Sequence, residues 1–129
     1  MIEKILIPRR SKEERAKNWI VETNKQIQQY IKNGSKGDLN LSNTPITSLP
    51  AGLKVGGNLY LYDTPITSLP AGLSVGGYLD LSNTQITSLP AGLIVRGHLD
   101  LYNTPLSKKY TIEQIKAMVP GVKGGIYFY

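Results

Sequence analysis

The chain has 129 residues, 40% of them apolar and 19% charged, so one soluble globular domain with a real core is expected. It contains no cysteine, which excludes disulfides, cysteine nucleophiles and thiolate metal sites. Its net charge of +6 is uneven: nine Lys and Arg face four Glu in residues 1–37, two face four Asp in 38–105, and four face one Glu in 106–129.

Residues 1–36 read as a short strand and then a helix that caps the remainder of the chain. The opening MIEKILIPRR lacks the apolar run of a secretory signal, and no segment approaches 18 apolar residues, so a cytoplasmic, non-membrane protein is expected. Ser11 and Glu14 form an S-x-x-E capping box. Ala16, Trp19, Ile20, Thr23, Ile27, Tyr30 and Ile31 then recur at helical spacing, and Asn33-Gly34 signals a left-handed stop. Trp19 is expected to plug the open core of the first repeat, since a stack of repeats needs a cap with a polar back. An exposed tryptophan can also anchor a partner.

Residues 37–106 repeat every 20 residues. T-P-I-T-S-L-P-A-G-L-x-V-G-G occurs twice between Thr44 and Gly77, and an edited third copy runs from Thr84 to Gly97. Leu39/Leu41, Leu59/Leu61, Leu79/Leu81 and Leu99/Leu101 mark one place in four rungs, followed by Thr44, Thr64, Thr84 and Thr104. Ile46, Ile66, Ile86 and Leu106 come next, and further Leu and Val columns complete each turn. One such unit cannot bury its own apolar side, so the copies must stack. Pro50, Pro70 and Pro90 make the segment after each Leu49-type position extended rather than helical. Gly52, Gly57 and their equivalents suit tight corners.

The pattern L-x-L-x-x-T-x-I-x-x-L-P-x-x-L resembles the leucine-rich repeat, in the short Leu-Pro form found in bacteria and their phages. The resemblance covers residues 37–106. It implies an α/β solenoid, a right-handed coil whose L-x-L segments build a parallel sheet of about five strands. It also implies that the threonines stand where the family usually has Asn, whose side chain bonds backbone across turns; a threonine hydroxyl can play a similar part. Some larger bacterial relatives join such repeats to a catalytic domain with a cysteine nucleophile. That activity does not carry over to a chain without cysteine.

Residues 107–129 first leave the pattern and then rejoin it. Thr111 and Gln114 form another capping box, opening a helix to about Val119 that Pro120-Gly121 stops. VKGGIYFY aligns with VGGNLYLY, placing Val122 on Val55, Gly124 on Gly57, Ile126 on Leu59 and Phe128 on Leu61. A helix-strand cap with a fifth rung is therefore expected. Its last strand leaves an edge open to a second copy or to a partner.

Function is read from the positions that do not repeat. If Leu59 and Leu61 point inward, their neighbours point outward, onto the concave face where the resemblance places partner binding. The outward columns are Asp38, Asn58, Tyr78, His98, Gly125; Asn40, Tyr60, Asp80, Asp100, Tyr127; and Ser42, Tyr62, Ser82, Tyr102, Tyr129. Six of the eight tyrosines fall here. The candidate partner-binding residues are Tyr60, Tyr62, Tyr78, Asp80, His98, Asp100, Tyr102, Tyr127 and Tyr129. Tyrosine brings large area, a hydroxyl and little entropy loss to an interface, although aromatics also suit exposed strands. Five rungs give about 250 Å² of flat sheet, well under the roughly 800 Å² per partner of a standard interface, so flanking loops or a basic end must contribute.

Chemistry finds little to work with. His98 is the single histidine, and Asp80 and Asp100 share a column about 5 Å apart, on what is expected to be a shallow open sheet. No catalytic, metal or cofactor residues are assigned, and no phosphate-loop motif occurs. The rival to protein recognition is nucleic-acid binding by the basic ends: Arg9, Arg10, Lys12 and Arg15, with Lys108 and Lys109 opposite. Asp80 and Asp100 on the tyrosine face speak against it.

Overall fold

The computed structural model describes residues 12–128, with side chains from Lys17 onward. The expected first strand, the Ser11/Glu14 capping box, Arg9, Arg10, Tyr129 and the side chains of Lys12 and Arg15 lie outside the described residues.

The chain forms α1 (Lys12–Lys32) and then a parallel β-solenoid of about three turns. Each of the first three turns contributes one short strand to each of two sheets, and the C-terminal end adds two strands to the first sheet alone. The first sheet joins β1 (Leu39–Asn40), β3 (Leu59–Tyr60), β5 (Leu79–Asp80), β7 (Leu99–Asp100) and β8 (Ile126–Tyr127) in that spatial order. The second joins β2 (Lys54–Val55), β4 (Ser74–Val75) and β6 (Ile94–Val95). The register steps by one repeat throughout: Leu39 pairs with Leu59, Leu59 with Leu79 and Leu79 with Leu99. Leu-Pro segments 45–50, 65–70 and 85–90 carry no helix, as their prolines dictate.

Burial follows the period of two within each strand. Leu39, Leu41 and their equivalents lie inside with Ile46, Ile66, Ile86, Leu106 and the Val55, Val75, Val95 column. The corner after the first sheet is left-handed in every turn, at Asn43, Asp63, Asn83 and Asn103 (φ 53–58°), a conformation Asn and Asp tolerate better than most residues. This column also carries a bond between turns, since Asn103 Nδ2 donates to Asn83 Oδ1 at 2.8 Å. The threonines act differently from the expectation. Thr44, Thr64, Thr84 and Thr104 donate their hydroxyls to Leu41, Leu61, Leu81 and Leu101 carbonyls within their own turns, at 2.6–2.8 Å. They brace each corner locally because the short side chain cannot span the gap between rungs.

At the N-terminal end α1 closes the stack, but not with Trp19. That side chain is 52% exposed, whereas Thr23 and Ile27 are buried one and two turns further along the helix. Tyr30 adds a polar clamp, donating to Gly37 O at 2.8 Å and accepting from Gly56 N at 3.1 Å. The fully buried stripe of the helix therefore runs through Thr23 and Ile27, and Trp19 does not join it. The helix ends in a Schellman motif, with Gly34 at φ 94° and Ser35 N donating to Tyr30 O.

At the other end, α2 (Pro105–Lys109) and α3 (Ile112–Met118) replace the extended outer segment. Both start with capping boxes, Thr104/Ser107 and Thr111/Gln114. The last strand docks in the register that its sequence implies: Val122 bridges to Val95, and Ile126 pairs with Leu99. Among the described residues, no helix is long and apolar enough to cross a membrane.

Candidate functional site

The outward positions of the first sheet meet in a concavity of about 190 Å³ lined by Tyr60, Tyr78, Leu79, Asp80, His98, Asp100 and Tyr127. The expected shallow sheet is thus a walled depression, because the tyrosine rings rise around the strands. Backbone register makes Tyr60, Asp80, Asp100 and Tyr127 consecutive neighbours across four strands. The Leu79 side chain is buried in the core behind the sheet, so Leu79 borders the concavity with its backbone.

Each wall is held in place. Asn58 donates through Nδ2 to the Tyr60 hydroxyl at 2.8 Å and accepts the Tyr78 N–H through Oδ1 at 2.9 Å. Sequence reasoning places Asn58 in an outward column without giving it a role; its position two residues before Tyr60, on the same face, is the available signal. Tyr127 lies over Gly125, where a Cβ would stand 2.9 Å from its hydroxyl oxygen. Glycine there makes room for the ring. His98 bridges the two sides, its ring 5.6 Å from Tyr78 and 5.1 Å, edge-on, from Tyr127.

The carboxylates are oriented by the turns after them. Asp80 Oδ1 accepts from Ser82 N at 3.0 Å and from Ser82 Oγ at 2.6 Å, and Asp100 Oδ1 accepts from Tyr102 N at 2.9 Å. Burial raises the Asp100 carboxyl above its ordinary pKa; the Tyr102 N–H opposes this and the Asp80 charge adds to it. Among the described residues, no three His, Asp or Glu side chains converge as metal ligands.

The other predicted residues separate from this cluster. Tyr62 and Tyr102 come after β3 and β7 at the corners, where their carbonyls accept the Asn43 and Asn83 N–H groups, and they do not line the concavity. Tyr102 is 48% exposed. Lys108 and Lys109 are exposed on α2, with Lys109 Nζ 5.3 Å from the Tyr110 ring centroid. Comparison with protein-family models, with curated proteins and with solved structures gave no match.

Proposed function

We propose that this is a non-catalytic interaction module of leucine-rich-repeat type that recognises another protein through the concave sheet face and its flanking corners. A phage or bacterial modulator of a host protein fits this role. One observation carries the reading: the near-identical copies keep their inward residues, while the outward residues that differ gather around one depression. Tyr60, Tyr78 and Tyr127 offer rigid aromatic area there, and Tyr62 and Tyr102 extend it along the corners.

The test is affinity capture from lysate of the source cell, comparing wild type with a Tyr60→Ala/Asp80→Lys/Tyr102→Ala variant shown to be folded by circular dichroism. A protein retained by wild type and lost by the variant supports the reading. Identical recovery by both, removed by nuclease or high salt, would instead assign binding to nucleic acid through the basic ends.

A further inference from the structure

Two carboxylates and three tyrosines lining the same space define the chemistry of the concavity. Asp80 and Asp100 are register partners on β5 and β7, so their backbones stand about 4.8 Å apart. Their bonds to Ser82 and Tyr102 orient them without neutralising them. Among the described residues the ion pair formed is Lys25 with Glu22 on α1, and neither aspartate meets a Lys or Arg. Two like charges are therefore held together in a partly enclosed place, an arrangement that costs free energy until a cation arrives. Tyr60, Tyr78 and Tyr127 border the same space, and the faces of such rings attract cations.

We infer that the concavity takes the guanidinium or ammonium head of a basic side chain presented by the partner, an inference that rests on the proposed reading of this face as a partner surface. The size agrees. At about 190 Å³ the space lies below the roughly 300–1,000 Å³ of sites for whole small molecules, and it suits one side-chain head with part of its stem. The aspartates supply charge and hydrogen-bond acceptors, and the rings cover the alkyl stem. A phosphate or carboxylate would meet the wrong sign of charge.

The experiment is an NMR titration of the ¹⁵N-labelled full chain with Nα-acetyl-arginine methylamide. The matching citrulline derivative serves as neutral isostere, and tetramethylammonium chloride as a free cation at matched ionic strength. Saturable shifts at the Tyr60, Asp80, His98 and Asp100 amides are expected with the arginine derivative and not with citrulline. Asp80→Asn/Asp100→Asn keeps both shape and the acceptors for Ser82 and Tyr102, and should weaken arginine binding by about tenfold or more. Tyr78→Leu provides a second variant that leaves the carboxylates alone, and it should weaken binding too.

Equal shifts with citrulline, saturation by tetramethylammonium but not by arginine, or no saturable shift overturns the inference. Affinity capture tells its failure from that of the parent reading. A partner kept by the double Asn variant but lost by Tyr60→Ala/Asp80→Lys/Tyr102→Ala removes the cation site and leaves the partner face standing. Saturable arginine binding with no partner lost by the triple variant removes the partner reading, and the inferred source of the cation with it.

Discussion

His98 holds the final strand from the rung before it: its Nδ1 accepts the backbone N–H of Gly125 at 3.1 Å, across 27 residues that include both C-terminal helices. Asp38 and Asn58 act likewise on earlier rungs, accepting the N–H groups of Asn58 and Tyr78 at 2.8 and 2.9 Å. In these three rungs the column supplies a side-chain acceptor, a role that asparagine can fill and leucine cannot. His98→Leu should speed hydrogen exchange at the Gly125 amide roughly fivefold to tenfold, the equivalent of about 1 kcal/mol, while His98→Asn should leave it near wild type. Unchanged exchange in the leucine variant would show that the pairing of β8 with β7 needs no help from the ring.

Thr84 tests the corner braces. It is fully buried, and its hydroxyl donates to Leu81 O at 2.7 Å. Thr84→Val preserves shape but leaves that carbonyl without its donor, at an expected cost of about 1–3 kcal/mol. Thr44→Val should cost less, because Thr44 is only half-buried and water can replace the lost bond. Urea unfolding at unchanged m-value reads both. Equal losses would mean that burial of the carbonyl does not set the cost of losing its donor.

Two glycines from one repeat separate close approach from mere recurrence. A Cβ at Gly97 would stand 2.8 Å from the carbonyl carbon and oxygen of Gly77, so Gly97→Ala must push neighbouring turns apart, at about 1–3 kcal/mol. Gly92 has nothing within 4 Å of such a Cβ and does not share the left-handed φ of Gly52 (72°) and Gly72 (77°). Gly92→Ala should be neutral or stabilise by up to about 1 kcal/mol through the unfolded chain. Thermal unfolding of the two variants side by side decides it.

The solenoid was legible because a 20-residue period combined with alternation in L-x-L leaves one way to bury Leu59, Leu61 and their equivalents. The docking of the tail was legible for the same reason, since Val122 and Ile126 continue columns already established. What escaped depends on distances that a pattern does not carry. Helical spacing put Trp19 on the same stripe as Ile27, but Ile27 is buried and Trp19 exposed, a difference that spacing does not carry. The hydroxyl of Thr84 was expected to bond across turns, but it reaches only a carbonyl of its own turn. α2 had a readable start, Thr104 as N-cap with Pro105 at the first helical position, yet the repeat lent Thr104 the role it plays in the other rungs. At the candidate site, the aspartates and tyrosines were identifiable by face. The depth of the concavity was not, because it arises from rotamers fixed by Asn58 against Tyr60 and by the room Gly125 leaves for Tyr127.

Asp100 links the site to stability through pH. Burial, reinforced by the charge of Asp80, raises its carboxyl above the ordinary value of 3.8 despite the Tyr102 N–H. The folded state therefore holds this proton more tightly than the unfolded chain does. The resulting stabilisation is fully present below about pH 3.8 and is lost as pH rises through the higher folded value. At neutral pH the ionised group is a net cost, which Asp100→Asn removes while keeping an acceptor for Tyr102. The variant should be more stable than wild type at pH 7, by less than about 1 kcal/mol because solvent screens a half-exposed carboxylate. The two unfolding curves should converge below about pH 4. If Asp100→Asn instead destabilises at pH 7, the charge supports the fold and needs no guest. If it stabilises there and weakens binding of the arginine derivative, the chain keeps an unfavourable charge at the place where a cation is inferred to bind, the trade expected where stability yields to recognition.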